Sequence, residues 1–153
     1  MSIREEFTTA LKESLKAKDQ VAMSTIRLIT AAMKDRDIAA RGSGNADGIS
    51  DAEILSMMQS MIKQRQESSK TYRDNDRAEL AEREEAEIVV IERFLPAQMS
   101  EDETDKAISD IIAEMDASSI KDMGKVMGEL KSRYAGQLDM AKADGQVKAK
   151  LAG

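Results

Sequence analysis

One proline, Pro96, stands in a chain whose apolar residues recur every three or four positions from end to end. That period marks amphipathic helices, and no strand-type alternation survives over more than about four residues. Proline cannot continue a helix, and it biases the residue before it away from the α region. The chain is therefore read as all-α with one enforced break, at Leu95-Pro96. The expected architecture is an N-terminal bundle of about four helices, residues 1–95, followed by a small C-terminal three-helix domain, residues 96–153.

Local signals punctuate this period. Ser2 is placed to cap a first helix whose apolar face carries Ile3, Phe7, Ala10, Leu11 and Leu15. A second helix starts near Asp19 with Val21, Thr25, Leu28, Ile29, Ala32 and Met33 as its stripe, and runs into the glycine-rich loop Gly42–Gly48. Ser50-Asp51-Ala52-Glu53 and Ser100-Glu101-Asp102-Glu103 are capping boxes, in which a serine and a glutamate three residues later satisfy free amides at a helix start. Asp76 with Glu79 repeats that logic, and Ser119 is expected to cap the sixth helix. Apolar stripes in the remaining helices include Val89 in the fourth, Met115 in the fifth, Val126 and Leu130 in the sixth, and Val147 and Leu151 in the seventh.

Composition removes whole classes of chemistry. The 153 residues include no His, no Cys and no Trp. A Ser-His-Asp triad, a thiol nucleophile, a Cys/His zinc site, and His-ligated haem or di-iron centres cannot be written here. No cofactor is expected. The N-terminus has acids among its first residues and lacks the apolar core of a signal peptide, and no apolar run is long enough to span a bilayer. A cytosolic, cytoplasmic location without a membrane partner is the corresponding expectation.

Two features have a bland and a sharper reading. Met57, Met58 and Met61 suit an adaptable binding face or a methionine-filled core seam, and their helical spacing favours the seam. The acids Glu79, Glu82, Glu84, Glu85 and Glu87 suit a hard-cation site or a solvated face with Arg77 and Arg83 as same-helix partners; a metal site needs convergence with a second element, so the solvated face is favoured and no metal is expected.

Charge is unevenly spread. The chain has a formal net charge of −6, yet residues 119–153 carry seven basic and four acidic side chains. A locally positive segment on an acidic protein points to an anionic partner. Its candidate contacts are Lys121, Lys125, Lys131, Arg133 and Lys142. Among them stands Gly124-Lys125-Val126-Met127-Gly128, which is neither a phosphate loop nor the Gly-x-x-Gly of a KH domain. Each glycine inside a helix costs about 1 kcal/mol relative to alanine, so something must offset it. Close helix packing at the glycine face is one answer; close backbone approach by a ligand such as nucleic acid, at Gly124 and Gly128, is the other. Lys121, Lys125 and Lys131 are expected on an opposite or flanking face. Tyr134 is the only aromatic in the segment, so contact to phosphates suits it better than base stacking.

Thr25-Ile26-Arg27-Leu28-Ile29-Thr30-Ala31-Ala32-Met33-Lys34, Met61-Ile62-Lys63-Gln64-Arg65-Gln66-Glu67-Ser68, Phe94-Leu95-Pro96-Ala97-Gln98-Met99-Ser100 and Lys121-Asp122-Met123-Gly124-Lys125-Val126-Met127-Gly128 together resemble the GatB/YqeY family over essentially the whole chain. The match is to the stand-alone YqeY-like form, related to the C-terminal part of the GatB component of the tRNA-dependent amidotransferase. The resemblance implies an N-terminal helical domain, a C-terminal three-helix domain, and association with tRNA or with an amidotransferase or other protein partner. In the RNA-contact reading, Lys63 and Arg65 are a further candidate contact. The resemblance also carries the label of a carbon–nitrogen ligase with glutamine as amido-N-donor. No catalytic constellation for that reaction is present in the residues, so a non-catalytic tRNA-binding module is expected, with a helical protein–protein adaptor as the alternative.

Overall fold

The computed structural model describes residues 1–152. It contains seven α-helices: α1 Ile3–Ala17, α2 Gln20–Gly42, α3 Asp51–Asp74, α4 Ala78–Glu92, α5 Glu101–Met115, α6 Met123–Arg133 and α7 Met140–Ala152. No strand occurs among the described residues. Contacts divide the chain into two compact units, Met1–Leu95 and a second from Pro96 onward.

Helix starts follow the capping chemistry where the sequence supplies it. Ser2, Ser50 and Ser100 each accept a hydrogen bond from the backbone three residues on, while Glu5, Glu53 and Glu103 reach back to the cap amide. Two expected caps are absent. Asp76 adopts a left-handed φ of 57°, and α4 starts behind Arg77 with no side-chain cap. Ser119 precedes a 3-10 turn, Ile120–Asp122, without capping it; the Asp122 carboxylate instead accepts from the Ser118 amide at 3.0 Å.

The first unit closes around Phe7, Ile29, Ile54, Met57, Met58 and Ile91, all buried, with Phe94 edge-on to Phe7 at a centroid distance of 5.0 Å. The three methionines are therefore core, as their spacing favours, and offer no outer face. Two acids of α4, Glu85 and Glu87, find their partners on α3 rather than on their own helix. Glu87 takes Arg65 at 2.9 Å, and Glu85 takes Arg73 at 2.7 Å and the Ser69 hydroxyl at 2.8 Å. Arg73 and Ser69 hold the Glu85 carboxyl below the usual range.

A buried polar node fixes the α2–α3 loop. Asp37 receives both guanidinium nitrogens of Arg4, at 2.8 and 2.9 Å, and the amide of Ile49 at 2.9 Å, while Arg4 also donates to the Ile49 carbonyl at 3.0 Å. These donors, Arg4 first, hold the Asp37 carboxyl far below its ordinary value. Gly48 sits against this carboxylate with φ +83°, where a Cβ would collide with an Asp37 oxygen. Glycine is required there twice over, for the backbone conformation and for the close approach.

The second unit buries Ile108 and Ile111 of α5, Val126 and Leu130 of α6, Leu138 of the intervening turn, and Val147 of α7. Its first residues are tied to the α6–α7 turn. The Met99 amide donates to Gln137 at 2.8 Å, and the Gln98 side chain donates to the Gly136 carbonyl at 2.6 Å.

Candidate nucleic-acid interface

The sixth helix turns Val126 and Leu130 fully inward, with Met123 and Met127 packed beside them. At 100° per residue, Gly124, Gly128 and Lys131 then share a sector of about 60° on the outer side, and Lys125 and Ser132 flank it. Gly124 and Gly128 are exposed, and a Cβ added to either would meet nothing within 4 Å. Close packing within this chain is thus not what offsets their helical cost. Lys131 is therefore on the glycine face rather than opposite it, and Lys125 flanks it.

The charges around this face are free to meet an anion. Lys121, Lys125 and Lys131 are exposed, and none forms an ion pair among the described residues. Lys121 stands in the 3-10 turn at the helix start. Asp122 next to it is held below the usual carboxyl range, chiefly by the Ser118 amide and in smaller part by Lys125. The result is a short helical face with bare backbone at its centre and ammonium groups around it. A phosphodiester backbone can approach such a surface closely, because no side chain holds it off and each lysine supplies a point charge.

The remaining candidates are placed differently. Arg133 lies between Glu114 at 2.6 Å and Glu129 at 2.7 Å, which neutralise it and raise its pKa, and the pair to Glu114 clamps α5 to α6. Lys142 is exposed in the first turn of α7. Lys63 is exposed on α3 of the first unit. Arg65, on the same helix, is spent on Glu87 and on the Met61 carbonyl at 3.1 Å. The structure therefore sets Lys121, Gly124, Lys125, Gly128 and Lys131 along α6 and the 3-10 turn before it, and leaves the others outside that set. Sequence spacing alone shows Glu129 four residues before Arg133, but not Glu114, which lies a helix away.

Among the described residues, seven helices in two units, with a lysine-rimmed glycine face on the second, define a small all-α protein. The chain belongs to the YqeY-like protein family, whose model matches residues 4–151. It is 31% identical over 112 residues to altered inheritance of mitochondria protein 41, mitochondrial, of Lachancea thermotolerans, covering 71% of this chain and 57% of that protein. The protein of the same name from Saccharomyces cerevisiae strain ATCC 204508 / S288c is 26% identical over 125 residues, covering 78% of this chain and 65% of the relative. The Candida glabrata protein is 32% identical over 100 residues, covering 63% and 53%. The chain thus spans little more than half to about two thirds of the length of these curated relatives.

These names correct one expectation. The relatives are named as mitochondrial proteins, which overturns the cytoplasmic location inferred from the first residues. That inference rested on the lack of a leader in a chain that matches only part of its relatives, so its beginning carries no information about location. No helix among the described residues is long and apolar enough to cross a membrane.

Proposed function

We propose that this chain is a non-catalytic, tRNA-associated module linked to glutamine-dependent tRNA amidation, and that the Gly124/Gly128 face of α6 is its contact to the sugar–phosphate backbone. The observation that carries the reading is the pair of exposed glycines with open space where each Cβ would be, rimmed by Lys121, Lys125 and Lys131 without ion-pair partners among the described residues. A helix that accepts the glycine cost twice on a bare, basic face has a reason outside its own fold. The resemblance to the C-terminal region of the amidotransferase GatB component supplies tRNA as the anion and the carbon–nitrogen ligase association as the setting. In this reading the chain holds RNA, and any amidation is carried out by partner proteins.

The test is binding of total tRNA to the full chain, read by gel shift or anisotropy across a salt series. Three lysine contacts predict affinity in the micromolar range and a log–log salt slope of roughly −2 to −3. Lys125→Glu with Lys131→Glu should weaken binding strongly while leaving the helix intact, because lysine and glutamate have similar helix propensity. No binding at low salt, or binding indifferent to both lysines, overturns the proposal. The adaptor alternative loses its methionine face, since Met57, Met58 and Met61 are buried.

A further inference from the structure

The outer face of α2 exposes Val21, Leu28 and Ile38, and it follows a seven-residue period. Val21, Leu28 and Asp35 occupy one position of that period, and Ser24, Ala31 and Ile38 the other. All six are exposed, with Val21 at 41%, Leu28 at 47% and Ile38 at 65% of full exposure. Val21 and Leu28 belong to the stripe expected to face the core, but the buried side of α2 is instead Ala22, Thr25, Ile26, Ile29, Met33 and Asp37. The helix therefore has two apolar sides, and only one is used.

Beside the unused side runs a row of cations. Arg27, Lys34 and Arg41 recur every seven residues, all exposed. Arg27 and Lys34 form no ion pair among the described residues, although acids outnumber bases 29 to 23 in the chain. The one acid three or four residues from Lys34 or Arg41 on this helix, Asp37, is buried and already bonded to Arg4. A heptad row of apolar side chains with charges of one sign along its edge is the surface that pairs with a second helix of opposite charge.

We propose that this face docks an acidic amphipathic helix of a partner protein, its apolar side against Val21, Leu28, Ala31 and Ile38 and its carboxylates against Arg27, Lys34 and Arg41. Charge complementarity selects the acidic partner. The apolar row selects a protein helix over nucleic acid, because Leu28 and Ile38 gain nothing from phosphate. The face also lacks the aromatic side chains that hold a helix at a membrane interface. Asp35 interrupts the row at one position, so the partner must place a cation or an amide opposite it, which fixes the register. This surface is on the first unit, on a different helix from the lysine-rimmed face, and does not depend on the tRNA reading.

The experiment titrates the isotopically labelled full chain with a synthetic peptide of about three heptads, Leu and Ile on its apolar positions and Glu on the flanking ones. Parallel arms use the same apolar positions flanked by Lys, a scrambled acidic peptide, total tRNA, and anionic phospholipid vesicles. The proposal expects the acidic heptad peptide to shift the amide signals of residues 21–41, and the scrambled and Lys peptides to leave them in place. Arg27→Glu with Lys34→Glu should weaken the acidic peptide by about 25-fold, roughly fivefold per reversed charge, and admit the Lys peptide. Leu28→Gln, on the exposed side, should weaken the acidic peptide without loss of helical circular dichroism. Equal binding of the scrambled peptide, or shifts on this face from tRNA or vesicles and not from the heptad peptide, overturns it. So does no binding at all.

Discussion

Replacing Asp37 with alanine removes the acceptor on which the α2–α3 loop depends, and the cost can be worked from its contacts. The Ile49 amide, on a residue only 8% exposed, loses its acceptor. A buried unsatisfied donor costs about 1–3 kcal/mol. Arg4 loses both short bonds to the carboxylate, but its side chain is 35% exposed, so water screens that loss to about 0.5–1 kcal/mol. The expected total is roughly 1.5–4 kcal/mol for the first unit. At about 4–8 °C per kcal/mol for a unit of this size, its Tm should fall by at least about 6 °C. The chain has no Trp, so urea unfolding is best followed by helical circular dichroism together with amide signals of residues 1–95. Asp37→Asn retains an acceptor for Ile49 and should cost less. Asp37→Ala and Arg4→Ala should couple by about 1 kcal/mol in a double-variant cycle, since they share one contact. The pH sign follows from the depressed folded pKa of Asp37. Its contribution is fully present above the unfolded aspartate value of about 3.9 and is lost as pH falls through the folded value, so the wild-type advantage over Asp37→Ala shrinks below about pH 4. A loss under about 0.5 kcal/mol, or strict additivity with Arg4→Ala, would refute the reasoning.

Two further outcomes follow from single buried contacts. Gly48→Ala should destabilise the first unit by more than about 1 kcal/mol in the same urea assay, because φ is +83° and the new methyl meets the Asp37 carboxylate. Thr25→Val should raise stability by about 1 kcal/mol, because the Thr25 hydroxyl is fully buried and has no hydrogen-bond partner among the described residues.

The helical class, the glycine loop and the two capping boxes were legible because each rests on neighbours in sequence. Ser50 with Glu53 and Ser100 with Glu103 need only a three-residue spacing. What failed was what depends on packing. Val21, Leu28 and Val89 fit an apolar stripe yet lie 41%, 47% and 54% exposed, because a period of three and four admits more than one face and only the neighbouring helices select it. Asp37 drew no notice, since an acid in a helix reads as surface until Arg4 and Ile49, far away in sequence, converge on it. On the candidate face, the two glycines were conspicuous in the sequence, but whether they packed or stood open needed coordinates. The neutralisation of Arg133 and Arg65 likewise comes from acids on other helices.

The central claim, that the glycine face of α6 is kept bare for an external backbone, is tested most directly by Gly124→Ala with Gly128→Ala. Open space around both positions predicts a second unit more stable by about 1–2 kcal/mol, from helix propensity alone. The same two methyl groups should hold a phosphodiester backbone away from the helix, so tRNA affinity at low salt should fall several-fold in a protein that has become more stable. Stabilisation with unchanged or tighter tRNA binding would contradict the claim.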